Sequence, residues 1–171
     1  MTVTIDGTLG LTTPAATVSG LLTAATETFT ATPAVTTAQS MILLTVTNGY
    51  GATNTAVRRW TNTITNQGSD ITYADSATLG GSFTINTNGV YSISCIDNFT
   101  SVASLQIGIN ATAIANAGAS NPVIATSTGA NIVVQGTYAA YLAAGTVVRA
   151  LGTAASGTAT AYTMFSIVRV A

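Results

Sequence analysis

The side chains able to do chemistry in this chain are few. It has no histidine and no lysine; its four bases are Arg58, Arg59, Arg149 and Arg169, and its five acids are Asp6, Glu27, Asp70, Asp75 and Asp97. Without imidazole or amine groups, the commonest general bases, Schiff-base nucleophiles and nitrogen metal ligands are absent. Cys95 alternates with Ile93 and has no histidine to activate it, so it reads as a small core hydrophobe. As a lone cysteine it cannot form an intrachain disulfide. Asp70 and Asp75 flank Ile71-Thr72-Tyr73, a spacing that offers an acid pair or part of a calcium site. Calcium takes about six to eight oxygens, and two acids in a turn are more often solvated caps. Asp97 beside Asn98 predicts an Asx-type turn ending a strand. Glycan hydrolysis would need two carboxylates opposed across a cleft, and the acids are too few for that. No catalytic set, cofactor site or metal site is expected.

Aromatic residues are the other candidates. Tyr50, Trp60, Tyr73, Tyr138, Tyr141 and Tyr162 would make a sugar-stacking platform if exposed. Alternation places Trp60 and Tyr91 in a core. Tyr138 and Tyr141 fall on opposite faces of one strand, so at least one points outward or into a subunit contact. The arginines Arg58, Arg59 and Arg149 read as structural partners for the acids.

These residues sit in an unusual background. Charged residues are 5% of the 171, against about a quarter in most soluble domains. Thr, Ser and Asn must supply the solubility. A formal net charge of −1 gives little repulsion between copies, which suits a protein that works assembled. No basic stripe exists to displace counterions, so nucleic acid is excluded as a partner. Mean hydropathy is +0.50, yet no apolar run approaches the roughly 18 residues of a membrane span. The opening MTVTIDG has neither a basic nor an apolar signal region. The sequons at Asn98 and Asn110 therefore read as chance matches.

Two regions follow from composition. Residues 1–40 are Ala/Thr-rich and predict either a flexible linker or an extended arm that orders only on a partner, the second favoured by apolar residues a pure linker has no use for. Val3, Ile5, Leu9, Leu11, Leu21, Leu22 and Phe29 are spaced along it as apolar anchors. From Met41 to Ala171 short strands alternate with turn residues, the pattern of an all-β sandwich. Strands are expected over 41–46, 57–64, 71–73, 105–109, 132–134, 138–142, 147–151 and 162–170, with Asn48-Gly49-Tyr50-Gly51 as a loop. A further short strand at Val123-Ile124 interrupts a long loop, and no helix is required.

The stretch from Leu79 to Asp97 organises the domain. Phe83 and Ile85 alternate with Thr84 and Asn86, Asn88-Gly89 suits a type I′ hairpin turn, and Tyr91, Ile93 and Cys95 then share one face. Apolar residues on both faces of the second strand call for cover on both sides.

Gly81-Ser82-Phe83-Thr84-Ile85 followed by Asn88-Gly89-Val90-Tyr91-Ser92-Ile93 resembles the jelly rolls of tumour-necrosis-factor and complement globular-head domains. The run from Arg58-Arg59-Trp60 through ITYADSATLG to Ser94 is similar to bacteriophage virion proteins that carry such a domain. Tyr141-Leu142-Ala143-Ala144-Gly145-Thr146-Val147-Val148 and Phe165-Ser166-Ile167 match two further family stretches. The pattern has Asp where this chain has Thr146, so a contact made by that Asp is not carried over. IDGTLGLTTPAAT also resembles the opening of phage structural proteins.

The resemblance implies a jelly-roll β-sandwich preceded by an extended N-terminal arm, and a non-enzymatic virion structural protein. It would be a homotrimeric capsid decoration, head fibre or short spike, made in the host cytoplasm and held to other virion proteins by the arm. In the last strand Phe165 and Ile167 lie on one face and Met164, Val168 and Val170 on the other. With both faces apolar, these five residues and Tyr141 are the expected trimer-interface residues. The alternative is a receptor- or glycan-binding tail-fibre tip, with a host surface glycan as partner.

Overall fold

In a computed structural model the described residues are 39–53, 55–110, 122–155, 157 and 160–171. The expected arm, with Val3, Ile5, Leu9, Leu11, Leu21, Leu22 and Phe29, lies outside them.

Among the described residues, alternation of Val, Ile, Phe and Tyr with Thr and Ser produces ten strands: β1 (Met41–Tyr50), β2 (Arg58–Gln67), β3 (Ile71–Ala74), β4 (Ser82–Ile85), β5 (Gly89–Phe99), β6 (Ser104–Ile109), β7 (Val123–Thr126), β8 (Ile132–Leu142), β9 (Val147–Gly152) and β10 (Met164–Arg169). One 3-10 turn, Thr160–Tyr162, precedes the last. The strands form two five-stranded antiparallel sheets, ordered β2-β1-β10-β5-β8 and β3-β4-β9-β6-β7. First and last strands pair in the middle of the first sheet while the chain alternates between layers, which is the expected jelly roll.

The core lies between the sheets. Ile42, Leu44, Tyr91, Ile93, Cys95, Phe165 and Ile167 from the first meet Ile71, Phe83, Ile85, Leu105, Ile107 and Val148 from the second, all at most 4% exposed. An aromatic stack ties the layers together. Phe83 and Phe165 lie 4.2 Å apart, Tyr73 extends the stack at 4.9 Å from Phe83, and Trp60 flanks Phe165 at 6.0 Å. Such pairs add about 0.5–1.5 kcal/mol each beyond the area they bury.

Several local expectations change. Asn88-Gly89 does not close a hairpin. β4 pairs with β3 and β9, β5 with β10 and β8, so 86–88 carries the chain from one sheet to the other. Gly89 is absent from the positive-φ glycines, which are Gly49, Gly68, Gly80 and Gly145 among the described residues. Its role is spatial: a side chain there would strike the Ala171 carbonyl, which accepts from the Val90 N–H at 2.7 Å. The expected loop at 48–50 belongs to β1, which continues to Tyr50 through irregular pairing, with Val46 and Gly49 at φ 62° and 70°. The segments 132–134 and 138–142 are one strand, β8, because Gly136 lets it run under the Ile124 backbone where a Cβ would collide.

Candidate functional site: an uncharged sheet face above a buried ion pair

The outward face of the first sheet is built by register. Three rows cross its strands: Gln67, Met41, Val168, Ser92 and Ala139; then Thr65, Leu43, Ser166, Ser94 and Thr137; then Asn62, Thr45, Met164, Ile96 and Gln135. None of these side chains is charged. The inward neighbours Ile42, Tyr91, Ile93, Phe165 and Ile167 are fully buried, whereas Met41, Leu43, Met164, Val168 and Ile96 stay half-exposed. The Asn62 side-chain amide donates to the Thr45 hydroxyl at 3.1 Å across the third row. At one end the face closes on an apolar cluster. Tyr141 pairs with Val90, and Val170 donates its N–H to the Val90 carbonyl at 2.8 Å; the three are 66%, 36% and 51% exposed.

The expected interface residues are therefore divided. Met164, Val168, Val170 and Tyr141 reach the outward face. Phe165 and Ile167 do not: both are at 0% exposure inside the sandwich, where the second sheet already covers them. Period-two alternation separates the faces but does not tell which is the inner one.

Beneath this sheet Arg58 has the structural, acid-paired role expected of it, but neither its burial nor its partner Asp97 was read from the sequence. Arg58 opens β2 and points inward to pair through Nε with the Asp97 carboxylate, both side chains having no solvent exposure. The guanidinium carbon is 4.2 Å from the Tyr50 ring centre and 4.8 Å from that of Phe99. Gly152 of β9 closes the site, since a methyl group there would stand 2.6 Å from the Phe99 ring and 3.1 Å from both Arg58 Nη2 and the Tyr50 hydroxyl. Burial pushes the Asp97 carboxyl up to about 6, with Arg58 pulling the other way. Burial likewise raises the Tyr50 phenol to about 12 and lifts the Cys95 thiol well above its usual value. Cys95 is thus held as an unreactive thiol in the core, as read from the sequence. Asp97 is not at a strand end. Its Oδ1 does accept from the Asn98 N–H at 2.7 Å, the local contact expected, but β5 continues to Phe99.

The other acids hold the rim. Asp75 takes both ends of the Arg59 guanidinium at 2.9 and 2.7 Å, and those hydrogen bonds hold its carboxyl below the usual range. Asp70 accepts from the Ser40 hydroxyl at 2.9 Å and pairs with Arg169 at 3.4 Å; hydrogen bonds from Thr87 and Ser40 lower its carboxyl. Both acids act in tertiary ion pairs and not as simple solvated caps. Arg149 is half-buried on β9, and burial lowers its guanidinium. Among the described residues no three of Cys, Asp and Glu gather as metal ligands, and no helix is long and apolar enough to cross a membrane. Trp60 and Tyr91 are core residues, while Tyr141 and Tyr162 are exposed at 66% and 71%.

No family model and no curated protein matches this chain. Solved structures do. Murine APRIL at pH 8.5 superposes with a TM-score of 0.55 at 10% identity, over 77% of this chain and 99% of that one. The globular domain of the zebrafish complement 1qA protein gives 0.53 at 15% identity, over 78% and 98%. At such identities the likeness concerns the fold alone, and the fold is the jelly-roll β-sandwich of the tumour-necrosis-factor and complement-head type.

Proposed function

We propose that this protein is a non-enzymatic structural component of a bacteriophage virion. It assembles as a homotrimer through the outward face of its first sheet and is anchored to the particle by its N-terminal arm. The observation that carries the reading is the uncharged face whose rows bear Met41, Leu43, Met164, Val168 and Ile96, ending on Val90, Tyr141 and Val170. A five-stranded surface of this composition is the kind that copies of a chain cover for one another, since depletion of charge marks the centre of stable interfaces. The near absence of net charge supports assembly as the working state. The phage setting is supported by the resemblance of residues 58–94 and of the opening segment to virion proteins. A capsid decoration, head fibre or short spike fits this combination of arm and trimer.

Light scattering on the purified full chain tests the assembly: three times the 17.1 kDa chain mass is expected. A monodisperse monomer would sink the trimer. Immunolabelling of particles tests the setting, and label absent from intact virions would overturn it. A second reading, a receptor- or glycan-binding fibre tip, is favoured by the exposure of Tyr162 and Tyr141. A glycan array distinguishes it, because a purely structural trimer leaves every spot unbound.

A further inference from the structure

The described residues contain two Asn-Gly pairs, Asn48-Gly49 and Asn88-Gly89, and the fold treats them in opposite ways. At the second pair the side chain and backbone are held in place. The Asn88 side-chain oxygen accepts from the Ala144 N–H at 2.8 Å, and its backbone carbonyl accepts from Arg169 at 3.1 Å. Gly89 is paired with Leu142 in the sheet and pressed against the Ala171 carbonyl. At the first pair the ladder slips. Thr47 faces Trp60 and Tyr50 faces Arg58, so three steps on β1 are set against two on β2, and Asn48-Gly49 is the bulge that absorbs the difference. Asn48 is exposed, Gly49 sits at φ 70°, and nothing lies within 4 Å of where a Gly49 side chain would be.

We propose that Asn48 is a spontaneous deamidation site and that Asn88 is protected from the same reaction by the fold. The Gly49 backbone nitrogen, giving up its proton to solvent base, attacks the Asn48 side-chain carbonyl carbon. A carbon–nitrogen bond forms, the side-chain amide leaves as ammonia, and a five-membered succinimide remains. Water then opens either carbonyl of that ring, leaving an aspartate or an isoaspartate. No oxidant or cofactor enters. Glycine at 49 matters because a side chain would obstruct the ring, and the open space around it leaves room for closure.

The product reaches the molecule in two ways. It adds a negative charge to a chain whose formal net charge is only −1. In the isoaspartyl form it also inserts a methylene into the backbone two residues before Tyr50, whose ring lies over the buried Arg58. Ageing at Asn48 is thereby linked to the ion-pair centre.

The test incubates the native full chain in mildly alkaline buffer and follows both peptides by mass spectrometry. Isoaspartate is read separately with an isoaspartyl methyltransferase. The Asn48 peptide is expected to convert with time while the Asn88 peptide keeps its amide, and in urea the two should convert at similar rates. Gly49→Ala should slow the native reaction several-fold. An Asn48 peptide that stays amidated in the native protein would overturn the site. Conversion of both peptides at equal rates in the native protein would overturn the protection.

Discussion

Arg58 and Asp97 come from separate strands, β2 and β5, and meet in the sandwich interior with no solvent exposure on either side chain. In a chain with four bases and five acids, placing one of each where water cannot reach is costly. Two desolvated charges are held together only if the partners are in place. Tyr50 and Phe99 stand against the guanidinium, and Gly152 leaves the space it occupies. Removing one partner by Arg58→Ala should therefore destabilise the fold by about 3–5 kcal/mol. Replacing both, as Arg58→Met with Asp97→Leu, should cost much less. Urea unfolding measures both, and equal losses for single and double variants would exclude coupling between the charges.

The same centre sets a pH dependence. The folded Asp97 carboxyl is raised to about 6 from 3.8, chiefly by burial. Its contribution to stability is fully present below the unfolded value and is lost as pH rises through about 6. A shift of that size corresponds to roughly 2–3 kcal/mol. Asp70 and Asp75 are lowered, so their contributions are present above 3.8 and fall away in stronger acid. The melting temperature should thus be higher near pH 5 than near pH 8, and decline again in strong acid. Asp97→Asn should flatten the arm between pH 5 and 8. A wild-type curve that climbs steadily toward pH 8 would contradict a raised Asp97.

Gly89 and Gly49 separate two reasons for using glycine. Gly89→Ala would push a methyl group into the Ala171 backbone carbonyl, which cannot swing aside as a side-chain tip could. A loss of about 1–3 kcal/mol is expected, the range for forced overpacking. Gly49→Ala meets no neighbour and suffers only its positive φ, which should cost about 1–2 kcal/mol. Thermal melts of the two variants check the order.

Much of the sandwich was legible because its signals are local. Tyr91, Ile93 and Cys95 alternate with Ser92 and Ser94, and Gly68 and Gly145 sit between strands at φ 77° and 87°, a conformation that glycine tolerates best. What was not legible depends on residues far apart in the chain. Asn88-Gly89 carries a hairpin signal, but whether two consecutive strands share a sheet is settled by β9 and β10, about 60 or more residues later. Asp97 finds Arg58 from 39 positions away, so its tertiary partner left no local pattern. Phe165 and Ile167 were separated correctly from Met164 and Val168, yet only the second sheet identifies the inner side. The missed ion pair did leave one signal: Arg58 and Trp60 fall on one face of a strand, and an arginine on a core-facing stripe demands a buried partner.

The outward face is open to a direct test at Val168, which lies between Met41 and Ser92 in the first row. Val168→Glu keeps the sandwich core intact, since the side chain points away from it. It places a carboxylate where an assembled trimer would exclude water, and such a charge is costly without a partner. The variant should keep its β-sheet circular dichroism and lose the trimer in light scattering. A second substitution, Thr63→Glu on edge strand β2 at an exposed position, serves as a control for added charge. Undiminished trimers from Val168→Glu would move the contact to another surface.

Residues 1–40 make the last prediction. Ala and Thr offer too little apolar surface to offset the entropy of ordering such a segment by itself, so on the proposed reading Leu9, Leu11, Leu21 and Phe29 would be the anchors that meet a partner surface. Laid on a capsid or connector, an extended backbone can extend an exposed sheet edge while the anchors fill shallow pockets. A trimer presents three arms, and the second and third bind at raised effective concentration once the first is seated. Fold and anchorage should then separate. Among the described residues the jelly-roll strands begin at Met41 and their core lies between the two sheets, so a chain lacking residues 1–38 should fold and trimerise. It should nevertheless fail to decorate particles stripped of the native protein. Single-arm binding should be weak, so a monomeric Val168→Glu full chain should bind those particles far less than the trimer, yet better than the armless form. Decoration by the armless trimer as complete as that by the full chain would show that the arm is not the anchor.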